Sequence, residues 1–228
     1  MSKLFVRLFL ASLLIAAVAG VVMHSSVAAS EKVTALPKPA VDDPLAPSSR
    51  QETAVIAGGC FWGIQAVFQH VNGVVSATSG YSGGSAATAE YETVSTGMTN
   101  HAESVKIVYD PSKVTYGQLL RVFFSVAHDP TELNRQGPDS GTQYRSVIFF
   151  GSDDQKKVAQ DYIAQLEQAK VFPHKIVTQV VPLKAFYPAE GYHQNYAKLH
   201  PDSPYIARYD LPKVANLQQQ FPQLYHNQ

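Results

Sequence analysis

Three observations predict an α+β fold: a two-layer sandwich with a split β-α-β (ferredoxin-like) mixed sheet, helices, and a long irregular C-terminal tail. Segments with period-two alternation, such as 101–109, are interleaved with segments whose apolar residues fall at helical spacing, such as 115–127. Their order along the chain reads strand, helix, strand, strand, helix, strand, helix, strand. From about residue 198 onward, the sequence is rich in prolines and aromatics and shows no clear period.

Each element has its own reason. Thr53-Ala54-Val55-Ile56-Ala57 is a short apolar run that reads as a buried strand, and Gly58-Gly59 turns out of it. Ile64, Val67 and Phe68 then share one helical face, which places a helix at about 60–70. Val71-Asn72-Gly73-Val74 turns into a strand over 74–81, and a loop of Gly, Ser, Ala and Tyr follows. In 101–109, Glu103, Val105, Ile107 and Tyr109 share one face while Ser104, Lys106 and Val108 take the other. Asp110-Pro111 ends that strand. Leu119, Leu120, Phe123, Phe124 and Ala127 make a core-facing helical stripe. A polar loop over 128–143 leads to a strand at about 144–150. Ser152 with Gln155 has the spacing of a capping box, opening a helix to about 170 with Val158, Tyr162 and Leu166 inward. The polar positions of that helix form its solvated face. A last strand is expected over 175–182.

The N-terminus reads differently. Lys3 and Arg7 precede an almost wholly apolar run over 8–23, and Ser25-Ser26-Val27-Ala28-Ala29 offers small residues for a peptidase. Residues 1–29 are therefore expected to be a signal peptide cleaved after Ala29, and the protein to be periplasmic or secreted. The run falls short of the about 20 residues of a membrane span, but an uncleaved anchor is the alternative. Residues 30–50 carry Pro37, Pro39, Pro44 and Pro47 among small and polar residues, which reads as a flexible linker. Residues 51–228 then form one domain with the tail. The chain holds 18 Lys and Arg against 18 Asp and Glu and has no basic stripe, which argues against a nucleic-acid surface. Histidines 70, 101, 128, 174, 193 and 200 show no ligand spacing, so no metal site is expected.

Cys60 is the only cysteine among 228 residues. Exported proteins usually carry cysteines in pairs, and an odd thiol points to reactivity or intermolecular pairing. It lies in Gly59-Cys60-Phe61-Trp62-Gly63, where a strand turns into a helix. Unpaired N–H groups at a helix start favour an anion, so a depressed thiol pKa is expected. A small buried hydrophobe is the bland alternative for any free cysteine. The flanking glycines and two adjacent rings favour a reactive thiol beside an apolar pocket.

That pentapeptide resembles the signature of A-type peptide methionine sulfoxide reductases. So do Tyr91-Glu92-Thr93-Val94, Gly97-Met98-Thr99-Asn100-His101-Ala102-Glu103, His128-Asp129-Pro130-Thr131 and Arg135-Gln136-Gly137. Asp139, Gly141-Thr142-Gln143-Tyr144-Arg145-Ser146, Phe186-Tyr187 and Glu190-Gly191-Tyr192-His193-Gln194 continue the likeness in order. The resemblance implies repair of oxidised methionine of the S epimer, with Cys60 attacking the sulfoxide sulfur and becoming a sulfenic acid. It implies Glu103 as the proton donor to the departing oxygen, and Phe61 and Trp62 as walls around the S-methyl group. Tyr91 and Tyr144 would hydrogen-bond the oxygen, and Asp139 would help orient the site. No cofactor is implied beyond an external reductant, thioredoxin or another thiol. The expected partners are oxidised protein or peptide methionine and a thioredoxin-like reductant, with the enzyme a monomer.

Departures from the family pattern are Ala89-Glu90 before Tyr91 and Pro138 before Asp139, which touch loop geometry more than chemistry. Many relatives use a second, resolving cysteine near the C-terminus, and 197–228 contains none. Rival readings are a cysteine–histidine hydrolase with His101 or His193 as base, and a non-catalytic module that binds exposed methionine or aromatic segments.

Overall fold

The computed structural model describes residues 35–227; the segment expected to be a signal peptide, 1–29, and residues 30–34 lie outside the described residues. Its sheet follows the expected plan. Strand β1 (Glu52–Ala57) leads through helix α1 (Phe61–Gln69) to β2 (Val74–Ser82), and β3 (Ala102–Tyr109) returns between β1 and β2. Helix α3 (Tyr116–Val122) then leads to β6 (Val147–Phe150) on the far side of β1. The order β6-β1-β3-β2, antiparallel throughout, is the split β-α-β arrangement. Helix α4 (Asp153–Gln168) carries the chain to β7 (Gln179–Pro182), parallel to β6 at one edge, which makes the sheet mixed. A short strand, β8 (Phe186–Pro188), closes the other edge against β2 and was not foreseen.

Alternation puts the sheet's two faces to different uses. Ala54, Ile56, Val105, Ile107 and Tyr109 face α1, α3 and α4 in the main core, with Val67, Phe68, Leu119, Leu120, Val158, Tyr162 and Leu166. Val55, Ala57, Ala102, Val147 and Phe149 form a smaller cluster on the opposite face. Ile56 pairs with Val105 on one side and Ile148 on the other, so β1 is the central strand of the core.

Several boundaries differ from the sequence reading. Thr115 caps α3 in a full capping box with Gln118. Beyond α3 the helix widens into a π turn over Phe123–Ala127. Ser152 accepts from the Gln155 N–H, but the Gln155 side chain bonds the Gly151 N–H instead of Ser152, so only half of that capping box exists. Tyr144 sits in a single turn, Thr142–Tyr144, ahead of β6 rather than in the strand. The polar loop holds a small hairpin, β4 (Arg135–Gln136) with β5 (Asp139–Ser140).

Two larger expectations are corrected. The described part of the linker, 35–50, is not a loose tether but a strap laid across α3 and α4. Tyr162 donates to the Pro37 carbonyl at 2.8 Å, Arg121 Nε to the Leu36 carbonyl at 2.5 Å, and Gln165 clasps Lys38 and Ala40. The Asp42 carboxylate accepts from Thr115 Oγ1 at 2.5 Å and Gly117 N–H at 2.9 Å. A proline-rich extended segment cannot satisfy its own carbonyls, so side chains of the domain do it instead. The tail is not irregular either. It forms short helix α5 (Tyr196–Leu199), a π turn over Ile206–Asp210, and helix α6 (Leu211–Gln220). Ile206, Leu217 and Phe221 are fully buried.

Burial pushes the Asp42 carboxyl up from its ordinary value, while its hydrogen bonds to the Thr115 hydroxyl and the Gly117 N–H pull the other way. Asp42→Ala leaves the Gly117 N–H and Thr115 hydroxyl without their acceptor and is expected to lower stability by about 1–2 kcal/mol. Asp42→Asn, which keeps one acceptor oxygen, should lose less; urea unfolding of the three proteins measures this.

Candidate active site

The site is built where β1 turns into α1. Gly59 takes φ +100°, and a Cβ there would meet Gln136 Cγ at 2.5 Å, so the turn needs glycine on both counts. Cys60 occupies the cap position before α1 with φ −54° and ψ 125°. Its sulfur receives the Trp62 N–H, and 8% of the residue stays exposed. Glu103 lies across from it on the helix-facing side of β3, at 3% exposure, and its Oε2 accepts from the Phe61 N–H at 3.1 Å. The alternation that pointed Val105 and Ile107 inward therefore points Glu103 inward at the mouth of α1.

Electrostatics in this pocket are set by burial. Desolvation pushes the Glu103 carboxyl up to about 8, with Asp139 and Asp210 adding to the shift and the Phe61 N–H opposing it. Glu103 thus holds a proton at neutral pH. The Cys60 thiol is also pushed well up, by burial first and then by the Glu103 and Asp210 carboxylates. Here the expectation of a depressed thiol is overturned. The Trp62 N–H and Lys213 favour the anion, but removal from water and two acidic neighbours outweigh them.

Aromatic rings cluster around the start of α1. Phe61 is fully buried, its ring 5.0 Å from His193 and 5.9 Å from Tyr81. Trp62 stacks on Tyr196 at 3.9 Å and 11°, meets Tyr205 edge-on at 6.0 Å, and donates its Nε1–H to His193 Nδ1 at 3.2 Å. Tyr91 opens the short helix α2 (Tyr91–Val94), and its backbone N–H is held by Glu190 at 2.8 Å. Burial raises the Tyr91 and Tyr144 hydroxyls, followed in each by the Glu103 charge, and both also feel Cys60. Asp139 accepts from the Tyr205 hydroxyl. The structure thus brings Cys60, Phe61, Trp62, Tyr91, Glu103, Asp139 and Tyr144 to one place.

Sequence reasoning missed Tyr196, Tyr205, Asp210 and Lys213, because it found no period in the tail that delivers them. Glu190 and His193 stand within one of the family-like motifs, whose spacing carries no sign of their tasks. Glu190 joins Tyr81 to the Tyr91 backbone, and His193 braces Trp62. Neither candidate base of the hydrolase reading serves the thiol. The His101 ring is spent on Gly84 N–H and the Ser85 carbonyl, shaping a loop. His193 Nδ1 is taken by Trp62, and burial lowers its pKa. Among the described residues, no group of three or more His, Cys, Asp or Glu is arranged to hold a metal ion.

A lone thiol beside a proton-holding carboxyl, walled by rings that suit a thioether, defines an oxidoreductase acting on sulfur. The family model for peptide methionine sulfoxide reductase matches residues 52–225. A peptide methionine sulfoxide reductase from Mesorhizobium japonicum is 64% identical over 185 residues, 81% of this chain and 94% of that one. One from Synechocystis is 53% identical, covering 82% and 88%. Among solved structures, reduced Mxr1 from Saccharomyces cerevisiae is 34% identical with TM-score 0.62, covering 72% and 92%. Methionine sulfoxide reductase A of Corynebacterium diphtheriae is 36% identical with TM-score 0.57, covering 74% and 84%. The chain belongs to the peptide methionine sulfoxide reductase family, and the reaction it catalyses is reduction of methionine sulfoxide.

Glu103 supplies a test with two readouts. Its folded pKa of about 8 lies above its ordinary 4.5, so the folded state keeps a proton that the unfolded chain loses as pH rises. Stability from this group is therefore present at low pH and falls away from about pH 4.5 to about pH 8. Glu103→Gln, unable to ionise, should melt progressively higher than the parent across that window. Its kcat should fall by about 10²–10⁴, the usual worth of a general acid. Melting curves and turnover at several pH values check both.

Proposed function

We propose that this chain reduces methionine S-sulfoxide, free or in polypeptides, through a Cys60 sulfenic acid that an external thiol regenerates, and so repairs exported proteins. The observation that carries the proposal is the placement of Cys60 against a protonated Glu103 in a chain with no second cysteine.

The chemistry follows from those two groups. Cys60 Sγ attacks the sulfoxide sulfur while Glu103 gives its proton to the oxygen, which would otherwise leave poorly. The Cys60 thiol proton returns to the Glu103 carboxylate. Attack forms a bond between Sγ and the substrate sulfur. The protonated oxygen then passes from that sulfur to Sγ as the S–O and Sγ–S bonds break. The substrate sulfur thus gains two electrons and leaves as methionine, while Sγ loses two and becomes the sulfenic acid. A raised thiol pKa suits this exchange, because the thiol's proton is needed to restore the acid. The Tyr91 and Tyr144 hydroxyls, kept protonated by burial and by Glu103, are donors to the oxygen as its charge grows. Phe61 and Trp62 hold the S-methyl group, since sulfur-to-ring contact is worth about 0.3–1.5 kcal/mol.

With no internal partner, the sulfenic acid must meet a thiol from outside. The first thiol condenses with it, releasing water and leaving a mixed disulfide on Cys60. A second thiol displaces the first and frees Cys60. A thioredoxin-like dithiol supplies both thiols in one molecule, which is the reason to favour it over two encounters with a small thiol.

One turnover without reductant should release one methionine per enzyme and add one oxygen to Cys60, read by mass spectrometry. Only the S epimer should be consumed, and Cys60→Ser should release nothing. The apolar segment over 8–23 and the small residues before Ser30 support export. Terminal sequencing of protein recovered outside the cytoplasm should begin at Ser30; a start at Met1 in the membrane fraction would establish the anchored form instead.

A further inference from the structure

One side chain outside the pocket carries the same functional group as the product of the reaction. Met98 is the only methionine among the described residues, and at 86% exposure it is the most exposed of their large apolar side chains. The main core is filled by Val, Ile, Leu, Phe and Tyr and holds no methionine, although methionine is an adaptable core filler. Oxidation turns a thioether into a polar, chiral sulfoxide that disrupts packing. A core without methionine escapes that damage. The one thioether kept among these residues stands where a dissolved oxidant meets it first.

Its presentation is built into the backbone. Met98 lies in the loop 95–101 that joins α2 to β3, between Tyr91 and Glu103. Gly97 at φ +74° and Asn100 at φ +61° turn the chain sharply on either side of it. Its N–H donates to Thr96 Oγ1 at 3.3 Å within the turn. The carbonyls around it are spent on the segment that carries Tyr144. Thr142 Oγ1 donates to the Gly97 carbonyl at 2.6 Å and Gln143 Nε2 to that of Ser95 at 3.1 Å. The Arg145 guanidinium donates to Asn100 at 2.8 Å and to His101 at 3.0 Å. These bonds fasten the loop beside its own site while the side chain at its tip projects into solvent. A loop so tied does not swing Met98 into the pocket of its own chain, but the pocket of a second copy can close on it.

We propose that Met98 is a reversible oxidation site whose sulfoxide is a substrate for a second copy of this chain. This rests on the reading that Cys60 reduces methionine S-sulfoxide. Hydrogen peroxide supplies the oxygen: the Met98 sulfur takes one oxygen atom and loses two electrons, and the rest of the peroxide leaves as water. In the second copy that oxygen passes to Cys60, and the Met98 sulfur regains two electrons. Two external thiols then restore Cys60, leaving as a disulfide with release of water. Repair is intermolecular, so the enzyme's own surface competes with other oxidised polypeptides for its site.

The test uses full-length Cys60→Ser protein, which cannot repair itself, treated with hydrogen peroxide and then freed of it. Peptide mass spectrometry should place one added oxygen on Met98, and a melting curve should show the oxidised protein folded; Cys60→Ala takes its place should serine unsettle the fold. A catalytic amount of parent enzyme with dithiothreitol should remove roughly half of that oxygen, the share held in the S epimer. Dithiothreitol alone is the blank, and dabsyl-methionine S-sulfoxide is turned over in parallel. Parent enzyme that reduces the dabsyl substrate yet leaves the oxygen on Met98 overturns the proposal. Removal only after the oxidised protein is unfolded in urea overturns it equally. Failure on both substrates would instead bring down the reading of Cys60, and the proposal with it.

Discussion

The hydrogen bond from the Phe61 N–H to Glu103 Oε2 joins the first turn of α1 to the start of β3, and the chemistry of this chain hangs on it. It sets the distance between acid and nucleophile, because Cys60 is the residue just before that N–H. The sheet makes the bond possible. Pairing of Ile56 with Val105 places the end of β1 beside the start of β3, and a slip of one residue would turn Glu103 to the far face. Gly59, at φ +100°, then aims the chain into α1 so that the thiol and the carboxyl share one pocket.

The same burial that equips the site also strains it. Glu103 and Cys60 are both pushed away from their charged forms by loss of water; Asp210 reinforces the effect on both, and Asp139 on Glu103. A protonated acid next to a protonated thiol presents two uncharged groups to an uncharged sulfoxide. Stability is given up for this, since a buried carboxyl would rather be in water. The aromatic shell of Phe61, Trp62, Tyr81, Tyr91 and Tyr196 keeps the region dry enough for the shift to persist.

How much of this was legible depended on how local the cause was. Alternation over 101–109 correctly turned Glu103 inward, and the spacing of Val158, Tyr162 and Leu166 correctly faced the core. The split β-α-β order was readable because each strand and helix announces itself within a dozen residues. The strap was not, since what holds it comes from 125 residues away, as with Tyr162 and Pro37. Its composition describes a segment with no core of its own, which is true and yet compatible with docking. The thiol pKa failed for a related reason. A helix start is a local feature, whereas what outweighs it is burial first and then the carboxylates that arrive from β3 and from the tail. The tail itself hides its helix behind Pro212 and an aperiodic approach, so Tyr205, Asp210 and Lys213 had no signal beyond their residue types.

Trp62 has a consequence of another kind. It is the only tryptophan in the chain, and it lies two residues from the sulfur, stacked on Tyr196 and bonded to His193. Nearly all of the protein's indole emission therefore originates beside the reacting atom. Whatever occupies or oxidises that place alters the polarity and quenching felt by one ring. The enzyme carries its own optical reporter, and each passage through its catalytic cycle is open to stopped-flow fluorescence without a label.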